Sequence, residues 1–148
     1  MIEVKKIATT DPLYEQERKL RNKVLLRPLR LPDGSWEMYD DKSWHFVAVE
    51  NKNVVGCAVL VPLEDEGSKA RLIQMAVDTT MQGKGVGKLL INGILKFAKL
   101  QALTEIVCHS RTYANKFYEK LGFEMYGEPF EEVGIPHNHM KIKIESVQ

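Results

Sequence analysis

The sequence predicts an α/β fold with a mixed sheet and a few covering helices, and three observations carry that prediction. Apolar, β-branched runs such as Trp44 to Glu50 and Val54 to Leu63 alternate with longer stretches of helical spacing. Glycine, proline and asparagine punctuate the boundaries between them. The resulting order, β-α-β-β-β-α-β-α-β-β, joins some strands by tight turns and others through helices. With 148 residues the chain suits one domain over 1–148, with no linker, repeat or low-complexity tract to divide it.

Ile2 to Ala8 alternates weakly and reads as a first strand. Tyr14 to Leu26 has helical composition and is expected to end ahead of Pro28 and Pro32. Leu29 to Asp41, with Pro32, Gly34 and several acids, reads as a loop. Trp44 to Glu50 and Val54 to Leu63 flank Asn51-Lys52-Asn53, a hairpin signal. Glu64 to Ser68 reads as a turn and Ala70 to Val77 as the next strand. A glycine-rich turn follows, Gln82-Gly83-Lys84-Gly85-Val86-Gly87-Lys88, and opens a helix. In that helix Val86, Leu89, Leu90, Ile94, Phe97 and Ala98 share one face. Thr104 to His109 reads as a strand and Thr112 to Leu121 as a short helix capped by Gly122. Phe123 to Tyr126 and His139 to Ile144 close the sheet.

Composition excludes some partners. The formal net charge of +1 gives no electrostatic case for nucleic acid or a membrane surface. No apolar run approaches the ~20 residues of a membrane span, and no signal-peptide core follows Met1, so a cytoplasmic location is expected. Cys57 and Cys108 lie inside apolar runs and are expected to be inert thiols.

The glycine turn carries the chemistry. A strand that feeds a glycine turn at a helix start presents unpaired backbone N–H groups to an anion, and diphosphates are the usual guests. No G-x-x-x-x-G-K-[ST] string exists here, and the glycines lack the spacing of a dinucleotide fingerprint. Gln82, Gly85 and Gly87 instead meet the pattern Q/R-x-x-G-x-G/A. The strand ending Met75-Ala76-Val77 precedes the turn, and Asn115-Lys116-Phe117-Tyr118-Glu119-Lys120-Leu121-Gly122-Phe123 follows it.

On these two motifs, over about residues 70 to 123, the chain resembles the GNAT N-acetyltransferases. The resemblance implies a GNAT-like fold, mostly antiparallel with a splayed pair of strands, and acetyl-CoA as cosubstrate. It places the diphosphate on Gln82, Gly83, Lys84, Gly85, Val86, Gly87 and Lys88. The pantetheine arm and thioester carbonyl fall on backbone N–H groups of Met75, Ala76 and Val77, with Val77 favoured as the donor to the carbonyl. Asn115 and Phe117 join the cofactor side, Lys116 reaches for phosphate, and Tyr118 is the general acid. A phenol suits that task because its acidity, ~10, lies near the ~8.5 of the departing thiol.

The base is where the sequence departs from the family. Histone-acetylating members place a glutamate eleven residues before the glutamine of the turn; here that residue is Arg71, which cannot be a base. This lowers a protein-lysine reading and leaves other carboxylates, a histidine or water relays as candidate bases, with His109 and His137 named as the catalytic candidates. The tail Gly134-Ile135-Pro136-His137-Asn138-His139-Met140 resembles a small bacterial branch of the family. His137 is expected in the loop before the last strand. The His137/His139 pair suggests a metal with Glu131 or Glu132, but no metal is expected. Substrate selection is expected in Leu29 to Glu37, where Arg27 and Arg30, or Asp40 and Asp41, offer charge. The expected activity is acetyl transfer to a primary amine of a small molecule, by direct attack in a ternary complex. Protein N-terminal or lysine acetylation and a non-catalytic acyl-CoA sensor are the alternatives. A homodimer is compatible with the sequence and is not decided by it.

Overall fold

The computed structural model describes residues 1–63 and 67–145. Of the turn expected over 64–68, residues 64–66 lie outside the described residues. Seven strands form one sheet: β1 (Glu3–Ile7), β2 (Trp44–Glu50), β3 (Asn53–Leu63), β4 (Lys69–Val77), β5 (Glu105–Arg111), β6 (Glu124–Glu132) and β7 (Ile135–Lys143). Their order is β1-β2-β3-β4-β5-β7-β6. The helices are α1 (Leu13–Arg21), α2 (Val86–Leu100) and α3 (Asn115–Lys120). This element order is the expected one. The β1–β2, β2–β3, β5–β7 and β6–β7 pairs are antiparallel, whereas β4 and β5 run parallel, as a helical crossover requires. The parallel ladder covers Lys69↔Glu105 to Leu72↔Cys108. No helix among the described residues is long and apolar enough to cross a membrane.

The chain packs as two compact units, one of Met1–Val61 with Ile73–Ile94, the other of Pro62–Leu72 with the chain from Leu95 onward. In the first, β2 and β3 are joined at Asn51 and Lys52, whose φ values of 50° and 67° are those of a tight primed hairpin turn. Ile7, Leu20, Val47, Val54, Cys57 and Ala76 form a buried core there, with Leu13, Tyr14 and Val24 against it. The start of α2 lies on β3 at Gly56, where a Cβ would stand 2.7 Å from Val86 Cγ1 and 3.1 Å from Leu90 Cδ1. A Gly56→Ala variant is therefore expected to lose about 1–3 kcal/mol of stability by overpacking, read as a lower urea midpoint.

The α1 segment differs from expectation in its ending. The α-helix stops at Arg21, but the chain winds on through a π-helical turn (Asn22–Leu26) and a 3-10 turn (Arg27–Leu29). Pro28 sits early in that 3-10 turn, where its missing N–H is not needed. Arg30, at φ 59°, ends the winding. The expected loop also contains a 3-10 turn, Glu37–Lys42.

In the second unit, β6 extends to Glu132 and β7 starts at Ile135, so the two expected short strands are one long hairpin. Its turn is Val133-Gly134, with φ of 48° and 75°. Pro129 is tolerated because β6 is an edge strand. One helix-face assignment is corrected: Leu89 is 41% exposed, while Ile91 is buried with Val86, Leu90, Ile94 and Ala98.

Candidate active site

The turn before α2 is built by local chemistry. Asp78 accepts a hydrogen bond from the Thr80 N–H at 3.0 Å, and its own N–H donates to the Val55 carbonyl at 2.8 Å, which anchors the exit from β4. The Gln82 side-chain amide donates back to the Val77 carbonyl at 3.3 Å. Gly83 and Gly85 take φ of +80° and +82°, a region that L side chains rarely adopt. A Cβ at either would meet no protein atom within 4 Å. Packing therefore does not demand these glycines; backbone conformation does, and the space before them is open. The first N–H groups of α2 have no intrahelical carbonyl to donate to, and Lys84 and Lys88 are exposed beside them. Gly87 lies within α2 itself.

β4 carries a feature without a sequence signal. Gln74, a non-glycine residue, has φ +50° immediately before Met75, Ala76 and Val77. A left-handed residue inside a strand interrupts the pleat as a bulge does, and redirects the backbone after it.

In the second unit, Arg71, His109, Glu132 and His137 come together. The Arg71 guanidinium donates to His109 Nδ1 at 2.8 Å, so the neutral ring carries its proton on Nε2. Glu132 Oε1 lies 3.1 Å from that same nitrogen, a hydrogen bond that forms only when Nδ1 is protonated and Arg71 withdraws. Burial and the Arg71 charge lower the His109 pKa against the pull of Glu132. His137 is not in a loop. It lies within β7, opposite Phe130 on β6, because the hairpin closes at Val133-Gly134. Its Nδ1–H donates to the Ile135 carbonyl at 2.7 Å, which leaves the Nε2 lone pair 3.6 Å from Glu132 Oε2. Strand alternation does bring His137 and His139 to the same face, where Phe130 stacks on both, at 5.7 Å and 4.3 Å between ring centroids.

The helix signature is positioned by its own polar pin. Asn115 is buried and its amide is engaged within the fold: Oδ1 accepts from Ser110 Oγ at 2.9 Å, and Nδ2 donates to Asn138 Oδ1 at 2.8 Å. It starts α3 and fixes the helix against β5 and β7, an assignment the resemblance does not contain. Phe117 and Phe123 set their rings against Tyr118 at 5.1 Å and 5.4 Å. Burial pushes the Tyr118 pKa well above its ordinary value, so the phenol holds its proton. The thiols are equally silent: burial raises both, Cys108 to about 12.

Sequence reasoning missed a buried polar network in the first unit. Arg21 Nη1 donates to Glu17 Oε2 and to Asp40 Oδ2, each at 2.9 Å. Tyr14 donates its hydroxyl to Asp40 Oδ2 at 2.5 Å. His45 Nδ1 faces Glu17 Oε2 at 2.8 Å, and its Nε2 faces the Asp40 carbonyl at 2.9 Å. Both ring nitrogens thus face acceptors, an arrangement that favours the protonated ring. Glu17, Asp40 and His45 also form a three-residue group with ligand atoms within 4.8 Å, but the Arg21 guanidinium already bonds both carboxylates. Asp40, 3% exposed, is not a surface acid awaiting a cationic amine, and Arg27 is held by Asp33 at 2.7 Å. The only sequence trace of the network is the Glu17/Arg21 i,i+4 spacing, easily taken for a surface pair.

His45 has a testable consequence. Burial opposes its charge, but the hydrogen bond and charge of Glu17 outweigh that and raise its pKa. Its contribution is full below the unfolded value, ~6.5, and is lost as pH climbs through the raised folded value. Wild-type melting temperature is expected to fall as pH rises above ~6.5, and a His45→Gln variant is expected to lack that slope.

Comparison with known proteins identifies the fold and the family. The family model described as "Acetyltransferase (GNAT) domain" matches residues 31–144. The uncharacterized protein YyaT of Bacillus subtilis is 26% identical over 140 residues, covering 90% of each chain. The crystal structure of Escherichia coli ElaA superposes with a TM-score of 0.86 over 96% of this chain and 99% of that one, at 20% identity. An aminoglycoside 6′-N-acetyltransferase complexed with coenzyme A superposes with a TM-score of 0.80 over 99% of both chains, at 18% identity. The chain is a member of the GNAT N-acetyltransferase family.

Proposed function

We propose that the protein transfers an acetyl group from acetyl-CoA to a primary amine of a small molecule, by direct attack in a ternary complex. The glycine turn carries the reading. Its two left-handed glycines face open space at the positive end of a fifteen-residue helix, which suits a diphosphate that must approach the backbone closely. The thioester carbonyl lies along Met75 to Val77, where the Val77 N–H stabilises the oxyanion as it forms. The neutral amine attacks the carbonyl carbon, the C–S bond breaks, and Tyr118 gives its proton to the leaving thiolate.

The amine's proton goes to His137. Its Nδ1–H is committed to the Ile135 carbonyl, so Nε2 is the accepting nitrogen, and Glu132 beside it stabilises the imidazolium. His109 is less suited, since Arg71 occupies its accepting nitrogen. A His137→Gln variant is expected to lose about 10²-fold in kcat with acetyl-CoA affinity retained, measured by thiol release and by titration.

A small amine is favoured over a protein lysine because Arg71 stands where histone-acetylating relatives hold a glutamate. The test is a thiol-release screen with acetyl-CoA against polyamines, amino acids, amino sugars and aminoglycosides. Turnover on one of these classes is expected. Turnover only on protein amines moves the acceptor class, and CoA binding with no turnover on any amine favours a sensor.

A further inference from the structure

We propose that Arg21 is a positioning residue for acetyl transfer, which braces the Gln74 bulge and so aims the backbone N–H groups of Met75 to Val77. The inference rests on the acetyltransfer reading above. Gln74 at φ +50° holds a conformation that disfavours any side chain with a Cβ, and such a residue persists only where its surroundings hold it. Two contacts do so. Arg21 Nε donates to Gln74 Oε1 at 3.3 Å, and the buried Cys57 thiol lies 3.6 Å from the Gln74 carbonyl oxygen.

Arg21 can act as a brace because it is buried and bonded to two carboxylates. It is 1% exposed, and its Nη1 is shared by Glu17 and Asp40, which His45 and Tyr14 hold in turn. With His45 protonated the charges balance: two carboxylates against a guanidinium and an imidazolium. Arg21 Nη2 and Asp40 Oδ1 are buried without a hydrogen-bond partner, so the network is not optimised for stability alone. Apolar residues would often fill such a volume at equal or better stability. What they would not supply is a rigid donor reaching from α1 to the bulge, one residue before the segment that receives the thioester.

Two substitutions at Gln74 test this without unfolding the ionic network. Q74A keeps the Cβ penalty and removes the anchor, so the bulge is expected to relax and kcat to fall about 10-fold to 100-fold, with CoA affinity within a few-fold of wild type. Q74G removes anchor and penalty together, and is expected to recover most of the kcat that Q74A loses. Amide hydrogen exchange adds a readout free of turnover: Met75 to Val77 are expected to exchange faster in Q74A than in Q74G or wild type. Wild-type kcat and exchange in Q74A would overturn the brace, and equal losses in Q74A and Q74G would replace it with a direct substrate contact. A wild-type protein that binds CoA but acetylates nothing would sink the acetyltransfer reading instead, and the exchange comparison would still decide the brace.

Discussion

Replacing Tyr118 with phenylalanine is expected to lower kcat by about 10²-fold to 10⁴-fold, the usual range for removing a general acid. The ring is retained, so its contacts with Phe117 and Phe123 survive and the variant is expected to fold with a native circular dichroism spectrum. Acetyl-CoA affinity is also expected to hold, because in the proposed mechanism the hydroxyl acts on the leaving sulfur rather than on the bound cofactor. The raised pKa sharpens the expectation: the phenol remains protonated through the working range, so the Y118F defect is expected to be the same size at every pH from 6 to 9. An unchanged kcat would remove Tyr118 from the chemistry and leave proton delivery to water.

The second large effect is at Gly85. A Gly85→Val variant is expected to weaken CoA binding at least 100-fold, about 2.7 kcal/mol, in isothermal titration. Two causes add: a β-branched residue disfavours φ +82°, and its side chain would fill the space that a diphosphate needs. No protein atom lies within 4 Å of the new Cβ, so the fold is expected to persist and the loss to appear in binding. Retained affinity with a native circular dichroism spectrum would show that the diphosphate rests elsewhere.

Elements with a strong local period were legible in the sequence. The β2–β3 hairpin, the β4–turn–α2 unit and α3 lie where apolar alternation, glycine and the paired motifs put them. The β6–β7 hairpin was legible only in part, because Pro129 and Gly127 interrupt the alternation and the turn at Val133-Gly134 pairs a β-branched residue with glycine. Leu89 was misassigned because a helix with two apolar neighbours at Leu90 and Ile91 fits more than one face. Of the candidate site, the left-handed turn at Gly83 and Gly85 could be read because its backbone depends on glycines in a fixed order. The Glu17–Arg21–Asp40–His45 network could not, since its members are spread over α1, a 3-10 turn and β2, and each looks like ordinary surface charge until the fold buries it. Gln74 was equally silent, because nothing in a glutamine foretells a left-handed backbone.

The segment from Arg30 to Trp36 is tied down on both sides. Leu31 N–H donates to the Leu26 carbonyl at 3.0 Å, Gly34 N–H to Asn22 Oδ1 at 2.9 Å, and Arg18 grips Glu37 at 2.9 Å. For an engineer, this marks out a natural cassette. Arg30, Pro32, Ser35 and Trp36 can be exchanged as a set, while Asn22, Gly34 and Glu37 form the frame that each exchanged segment needs to keep.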